Sequence, residues 1–175
     1  MQKVLSVLGL SGKDQESLLE SFQKHYIETE GFIRSYIYWM VRSEVANDLV
    51  QETYLKGWKS FERFQNNSSF KTWIYKIATN VTYDFLKKNK QFKTFEDTMK
   101  SPEDNQYEYR DMISRGLLLL TVKEREVFIL FFKFEYTVPE ISKLIEIPEG
   151  TAKSRIHSGR DKFVNFLNKN GIKNE

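Results

Sequence analysis

A chain of 175 residues with 40% apolar and 15% aromatic side chains can build one ordinary domain or two small ones with real cores, which excludes a disordered tail. The lack of cysteine excludes a disulfide framework, a thiolate metal site and a cysteine nucleophile, and it suits a reducing cytoplasm. The net charge of +3 is modest, so what informs is how the charge is distributed along the chain.

The opening stretch MQKVLSVLGLSGKD is too short and too weakly flanked by cations for a signal peptide. No window approaches a membrane span, so no membrane insertion is expected. Residues 1–17 form an extension without an assignment. From Leu18 to Met40 the spacing predicts one or two helices. Ala46, Leu49, Val50, Thr53, Tyr54 and Trp58 then recur at helical intervals, leaving Asp48, Gln51, Glu52 and Leu55 as an outward surface.

The polar loop Gln65, Asn66, Asn67, Ser68 and Ser69 lies between Phe64 and Phe70 and leads into a further helix. Trp73, Ile74, Ile77, Ala78, Val81 and Phe85 form its apolar stripe, and Lys76, Asn80, Tyr83 and Lys87 fall on another face. Tyr75 is offered from the same helix. Aromatics can replace lost base stacking while amides read an exposed base edge, which is what single-stranded nucleic acid demands. Trp73, on the stripe, reads as structural. From Arg63 to Lys93 seven cations oppose Asp84 alone, and from Thr94 to Asp111 six acids oppose Lys100 and Arg110. The first unit therefore spans 18–90 and an acidic linker 91–110, in which Ser101 and Pro102 are placed as N-cap and first helical residue.

The second unit, 111–170, opens with Met112, Ile113, Leu117 and Leu120 on a helix. Thr121-Val122-Lys123-Glu124 is a capping box, so the following VFILFFKF is expected to be a buried helix, although its continuous apolarity also suits a strand. Thr137-Val138-Pro139-Glu140 repeats the cap and starts a helix through about Ile145. Only Glu146, Ile147 and Pro148 separate it from a last helix carrying Lys153, Arg155, Arg160, Lys162 and Lys169, a pattern that matches a helix-turn-helix. Ala152, Ile156, Phe163 and Leu167 point inward; Lys153, Ser154, His157, Ser158 and Asp161 project outward, with Arg155 and Lys162 at the edge. Such a helix reaches base edges in a major groove and takes phosphates at its free amides. A core-only explanation leaves these cations as coincidence.

Three segments carry a family resemblance: DLVQETYLKGW (Asp48–Trp58), SFKTWIYKIATNVTYDFLKK (Ser69–Lys88) and EIPEGTAKSRIHSGRDKF (Glu146–Phe163). In order and separation they resemble a bacterial RNA polymerase sigma factor of the small extracytoplasmic-function type, which has region 2 and region 4 alone. The resemblance implies an all-α fold of two small helical domains joined by a linker, a three- or four-helix region 2 bundle and a four-helix region 4 domain ending in the helix-turn-helix. It also implies a promoter-selecting, strand-opening subunit with no cofactor and no catalysis of its own. By the same resemblance Asp48, Leu49, Val50, Gln51 and Glu52 dock on core RNA polymerase. Phe64, Gln65, Asn66, Asn67, Ser68, Ser69, Lys76, Asn80, Tyr83 and Lys87 hold the melted −10 element of promoter DNA, and Thr151, Lys153, Ser154, Arg155, His157 and Arg160 read the duplex −35 element. The acidic linker would follow the RNA exit path, and an anti-sigma factor is a partner such proteins often have.

Four positions depart from the family pattern. Glu146 replaces a glycine frequent in the turn, so either an ordinary residue adopts that backbone conformation or the turn differs slightly. Ser142 replaces a small alanine and is tolerable if its hydroxyl bonds back to the helix. Ser158 and Gly159 stand where arginine and alanine are common, which removes a phosphate contact. The alternative function is a stand-alone helix-turn-helix regulator, in which the acidic surface around Asp48 has no duty. An enzyme has little support: His25 and His157 are isolated, and GLSGKD (Gly9–Asp14) has the wrong glycine spacing for a phosphate loop.

Overall fold

The computed structural model describes residues 12–65, 67–89 and 105–172. The expectations placed on Asn66, on Ser101 and Pro102, on residues 91–104 and on the first eleven residues lie outside the described residues. Among those described, all regular structure is helical: α1 (Gly12–Val41), α2 (Ala46–Phe61), α3 (Phe70–Lys88), α4 (Asn105–Leu118), α5 (Val122–Phe132), α6 (Val138–Ile145) and α7 (Glu149–Lys169).

The segment read as one or two helices is a single one, α1, which ends where Arg42 takes a positive φ of 51°. Helices α1, α2 and α3 pack on one another. Ile33, Ile37 and Met40 of α1 meet Leu49 and Val50 of α2 and Ile74, Ala78 and Val81 of α3 in the core. At the other end of α1 the ring of Phe22 lies edge-on against Tyr54, Trp58, Phe61 and Phe70. Trp73 packs on Phe61, Phe64 and Phe70, which bears out its structural reading. Gly57 lets α2 and α3 approach, since a Cβ there would meet Ile74 Cδ1 at 2.7 Å.

The stretch VFILFFKF is helical as far as Phe132, as its cap predicts, and Lys133 and Phe134 lie past the helix end. Thr121 Oγ1 accepts from the Glu124 amide while the Glu124 carboxylate accepts from the Thr121 amide at 2.9 Å. Thr137 and Glu140 repeat the arrangement at the start of α6. Helix α7 packs on α4, α5 and α6. Gly116 permits the α4 approach, because a Cβ there would lie 2.5 Å from the Phe163 ring. In the α6–α7 turn Glu146 does what a glycine would do, with φ 56° and ψ 50° in the left-handed region. Ser142 donates its hydroxyl forward to the Ile147 carbonyl, across the turn, and not back along its own helix; the turn carbonyl has no helical partner, so the bond ties the two helices together.

The two helical groups are not held by the linker alone. Helix α1 contacts α5, and the buried apolar side chains of both groups form one continuous cluster.

Candidate nucleic-acid interface

On α2 the helical period divides the five residues assigned to polymerase docking. Leu49 and Val50 are 4% and 2% exposed and belong to the core, so they orient the face without presenting it. Asp48, Gln51 and Glu52 are exposed, and Glu52 pairs with Lys56 at 2.8 Å one turn on. Leu55, 60% exposed, sits beside them. An apolar side chain flanked by carboxylates is a surface suited to a partner with both cations and a greasy contact.

The loop before α3 is anchored at both ends. Phe64 is packed on Phe61 and Trp73, and Phe70 is buried, so neither ring is free to stack on a base. Ser69 is the N-cap of α3, its Oγ accepting from the Thr72 amide at 3.1 Å. Gln65, Asn67 and Ser68 are exposed, with Asn67 donating to Gln65. Lys76, Asn80 and Lys87 are exposed on α3 and Tyr83 is half-buried beside them. Tyr75, offered to nucleic acid by its position in the sequence, is 1% exposed: it points inward, toward a carboxylate from the other unit.

Helix α7 separates the six residues assigned to duplex reading. Lys153, Ser154, His157 and Arg160 are exposed, and Lys153, His157 and Arg160 recur on a single stripe. His157 lies 3.5 Å from Asp161. Thr151 and Arg155 are half-buried, and Arg155 lines a cleft of about 410 Å³ with Lys76, Asn80 and Tyr83 of α3. Ser158 is half-buried instead of projecting outward, and Lys162 stays exposed at the edge of the stripe. Both donate to the Glu124 carboxylate, at 2.6 and 2.8 Å. Burial alone would raise the Glu124 pKa, yet the bonds from Lys162, Ser158 and Thr121 hold it down at about 2. The serine in place of an arginine is therefore a strut between α7 and α5.

The charged triplet Glu124-Arg125-Glu126 is what the sequence reading missed. Glu124 served there as half of a capping box, and all three residues are buried. A buried charge needs partners. Arg125, its pKa lowered to about 10 by burial, donates to the Leu117, Leu118 and Leu120 carbonyls at the end of α4 and to the Met40 carbonyl at the end of α1. It thus closes the negative ends of two helices. Glu126 accepts from Tyr75 at 2.8 Å and Tyr36 at 3.2 Å on one oxygen, and from Tyr83 at 2.6 Å on the other. Burial, and then charge interactions that include Glu126, raise the pKa of all three phenols, so they remain donors.

Two helical units, one ending in a cationic helix-turn-helix and the other pairing an exposed acidic face with a polar helix face, define a DNA-binding protein equipped to hold a protein partner. Comparison with known proteins gives the class its name. A family model described as Sigma-70 region 2 matches residues 25–92, and one described as Sigma-70, region 4 matches residues 110–163. The chain is 34% identical to the ECF RNA polymerase sigma factor SigW of Bacillus subtilis (strain 168) over 134 residues, covering 66% of this chain and 72% of that protein. Its fold is similar to the sigma factor RpoE in complex with the anti-sigma factor NepR from Bartonella quintana, with TM-score 0.66, 23% identity, and coverage of 85% of this chain and 98% of that one. It is also similar to CnrH in complex with the cytosolic domain of CnrY, with TM-score 0.67, 17% identity, and coverage of 86% and 90%. The chain belongs to the sigma-70 family, as an ECF RNA polymerase sigma factor. Among the described residues no helix is long and apolar enough to cross a membrane.

Proposed function

We propose that this chain works in the cytoplasm with no bond-making chemistry of its own, selecting promoters for a core polymerase that does the catalysis. Asp48, Gln51 and Glu52, with Leu55, dock on the core enzyme. The loop from Phe64 to Ser69 with Lys76, Asn80, Tyr83 and Lys87 holds the opened −10 strand, where binding energy offsets local melting. Lys153, Ser154, His157 and Arg160, flanked by Thr151 and Arg155, meet the −35 duplex. The observation that carries this reading is the coexistence of an exposed acidic face on α2 and an exposed cationic stripe on α7 in one chain. A stand-alone regulator would have use for the stripe and none for the acidic face. RpoE of Bartonella quintana is bound by the anti-sigma factor NepR, which supports expecting an anti-sigma partner here.

Run-off transcription with core polymerase on random fragments of the source genome tests the assignment and yields the promoter sequence. Discrete start sites that depend on the added chain are expected; no initiation on any fragment would overturn the reading. Asp48→Arg should weaken core binding about tenfold in a competition assay with the fold unchanged, and unaltered affinity would remove Asp48 from the docking face.

A further inference from the structure

The surface assigned to the opened DNA strand is also where the second unit rests. Tyr83 of α3 gives its hydroxyl to Glu126 of α5. Lys76 of α3 gives its ammonium to Glu146, in the turn of the helix-turn-helix, at 2.6 Å. Asn80 lines the cleft between them together with Lys123 and Arg155. Around this centre Lys71 lies over the rings of Phe32 and Tyr136, at 4.2 and 5.4 Å, and Phe32 packs on Phe134. A DNA strand laid along α3 would have to displace α5 and the α6–α7 turn.

We propose that the free chain is self-masked: its helix-turn-helix unit docks on its own strand-binding face through a latch made by Glu126 and Glu146, and it must swing away before that face can bind DNA. This rests on the functional reading above for the identity of the masked surface, whereas the docking itself does not. Glu126 takes three phenol hydroxyls and lies 3.5 Å from the Thr79 hydroxyl. A carboxylate satisfied in that way is stable in the closed state, yet every group in the set is polar and water can replace each bond on opening. The latch is polar, and it lies beside an apolar contact between the units in which Phe32 meets Phe134, so opening parts both. Glu146 adds a feature particular to this sequence. A glycine would fit the left-handed turn without strain but could not reach Lys76, so the acid at this position trades turn comfort for a contact between the units.

The test uses the full chain, whose lack of cysteine makes spin labelling at introduced cysteines clean. Labels at Lys59→Cys in α2 and Asn168→Cys in α7, both exposed, report the separation of the units by electron–electron resonance. A single narrow distance is expected for the parent. Glu126→Lys, which would face Lys76, Lys123 and Arg155, should lengthen and broaden it, and Glu146→Gly should do so to a smaller degree. Circular dichroism and thermal melts check that both units stay folded. In parallel, a fluorescent random-sequence single-stranded oligodeoxynucleotide should bind Glu126→Lys about tenfold more tightly than the parent, if closure leaves about one chain in ten open. Because the substitution also adds a cation, Glu126→Gln, which removes the carboxylate without adding one, serves as the control and should tighten binding in the same direction.

A distance that neither variant moves would overturn the latch. Lengthening without tighter strand binding in either variant would overturn the masking. Neither readout involves polymerase, so the absence of initiation in run-off transcription would remove the sigma reading while leaving closure to stand or fall on the distance.

Discussion

The two units are built by different means. The first is held by rings: Phe22, Tyr54, Trp58, Phe61, Phe70 and Trp73 pack edge to face around one end of α1, and few charges enter its core. The second is held by fasteners. Two capping boxes start its helices, Glu124 ties α5 to α7, Arg125 closes α4, and Ser142 ties α6 to the turn. Apolar packing loses little when pH or salt changes, whereas fasteners depend on charge state. A unit that reads phosphates must keep an open cationic stripe, and a small domain with such a surface gains from polar struts beneath it.

The largest expected effect lies in the first unit. Phe22→Ala removes the ring that four others lean on and should cost about 3–5 kcal/mol, a full-scale loss for a domain of this size. Chemical denaturation followed by tryptophan emission reads it directly, since Trp58 packs on Phe22. A cost below about 1 kcal/mol would mean that the rings are not the scaffold and would break the comparison.

The second effect is smaller and depends on pH. Glu124→Ala removes half of a capping box and the acceptor of both Ser158 and Lys162, and should destabilise the second unit by roughly 2 kcal/mol. The parent should show the same dependence through acid. The carboxyl of Glu124 is held at about 2 when folded, against 4.5 for the free group. Its contribution is therefore complete above 4.5 and is lost as pH falls from there toward 2. Thermal melts between those limits should show the parent approaching Glu124→Ala as pH falls. A constant gap would show that the carboxylate is not a fastener.

Much of this was legible in the sequence because it is local. Thr121 with Glu124 and Thr137 with Glu140 are each written within four residues, the left-handed demand on Glu146 came from the family resemblance, and each is found in the fold. The apolar stripes were legible for the same reason. Which polar residues are buried was not, because it depends on pairings across the chain. Glu126 meets Tyr75 and Tyr36 from 51 and 90 residues away, and no period in the sequence announces it. The same blindness placed Tyr75 on the nucleic-acid face and Ser158 on the outside of α7. A helical wheel orders residues around an axis, but only the packed neighbour decides which of the polar ones it covers. For Leu49 and Val50 the apolar stripe already pointed inward, and the core position follows the stripe.

The smallest effect separates the two duties that lysines have on α7. Lys153 is exposed on the outward stripe, whereas Lys162 spends its ammonium on Glu124. A lysine that meets a phosphate releases a counterion, so its loss lowers the slope of log affinity against log salt by about 0.9 without changing stability. A lysine that serves as a fastener has the opposite signature. Lys153→Ala should therefore flatten the salt dependence of promoter binding in the polymerase complex and leave the melting temperature in place. Lys162→Ala should lower the melting temperature by a few degrees, for a loss of about 1 kcal/mol, and leave the slope alone. If the two variants exchange signatures, the outward stripe is not the reading surface, and the side of α7 that carries Lys162 and Arg155 takes its place.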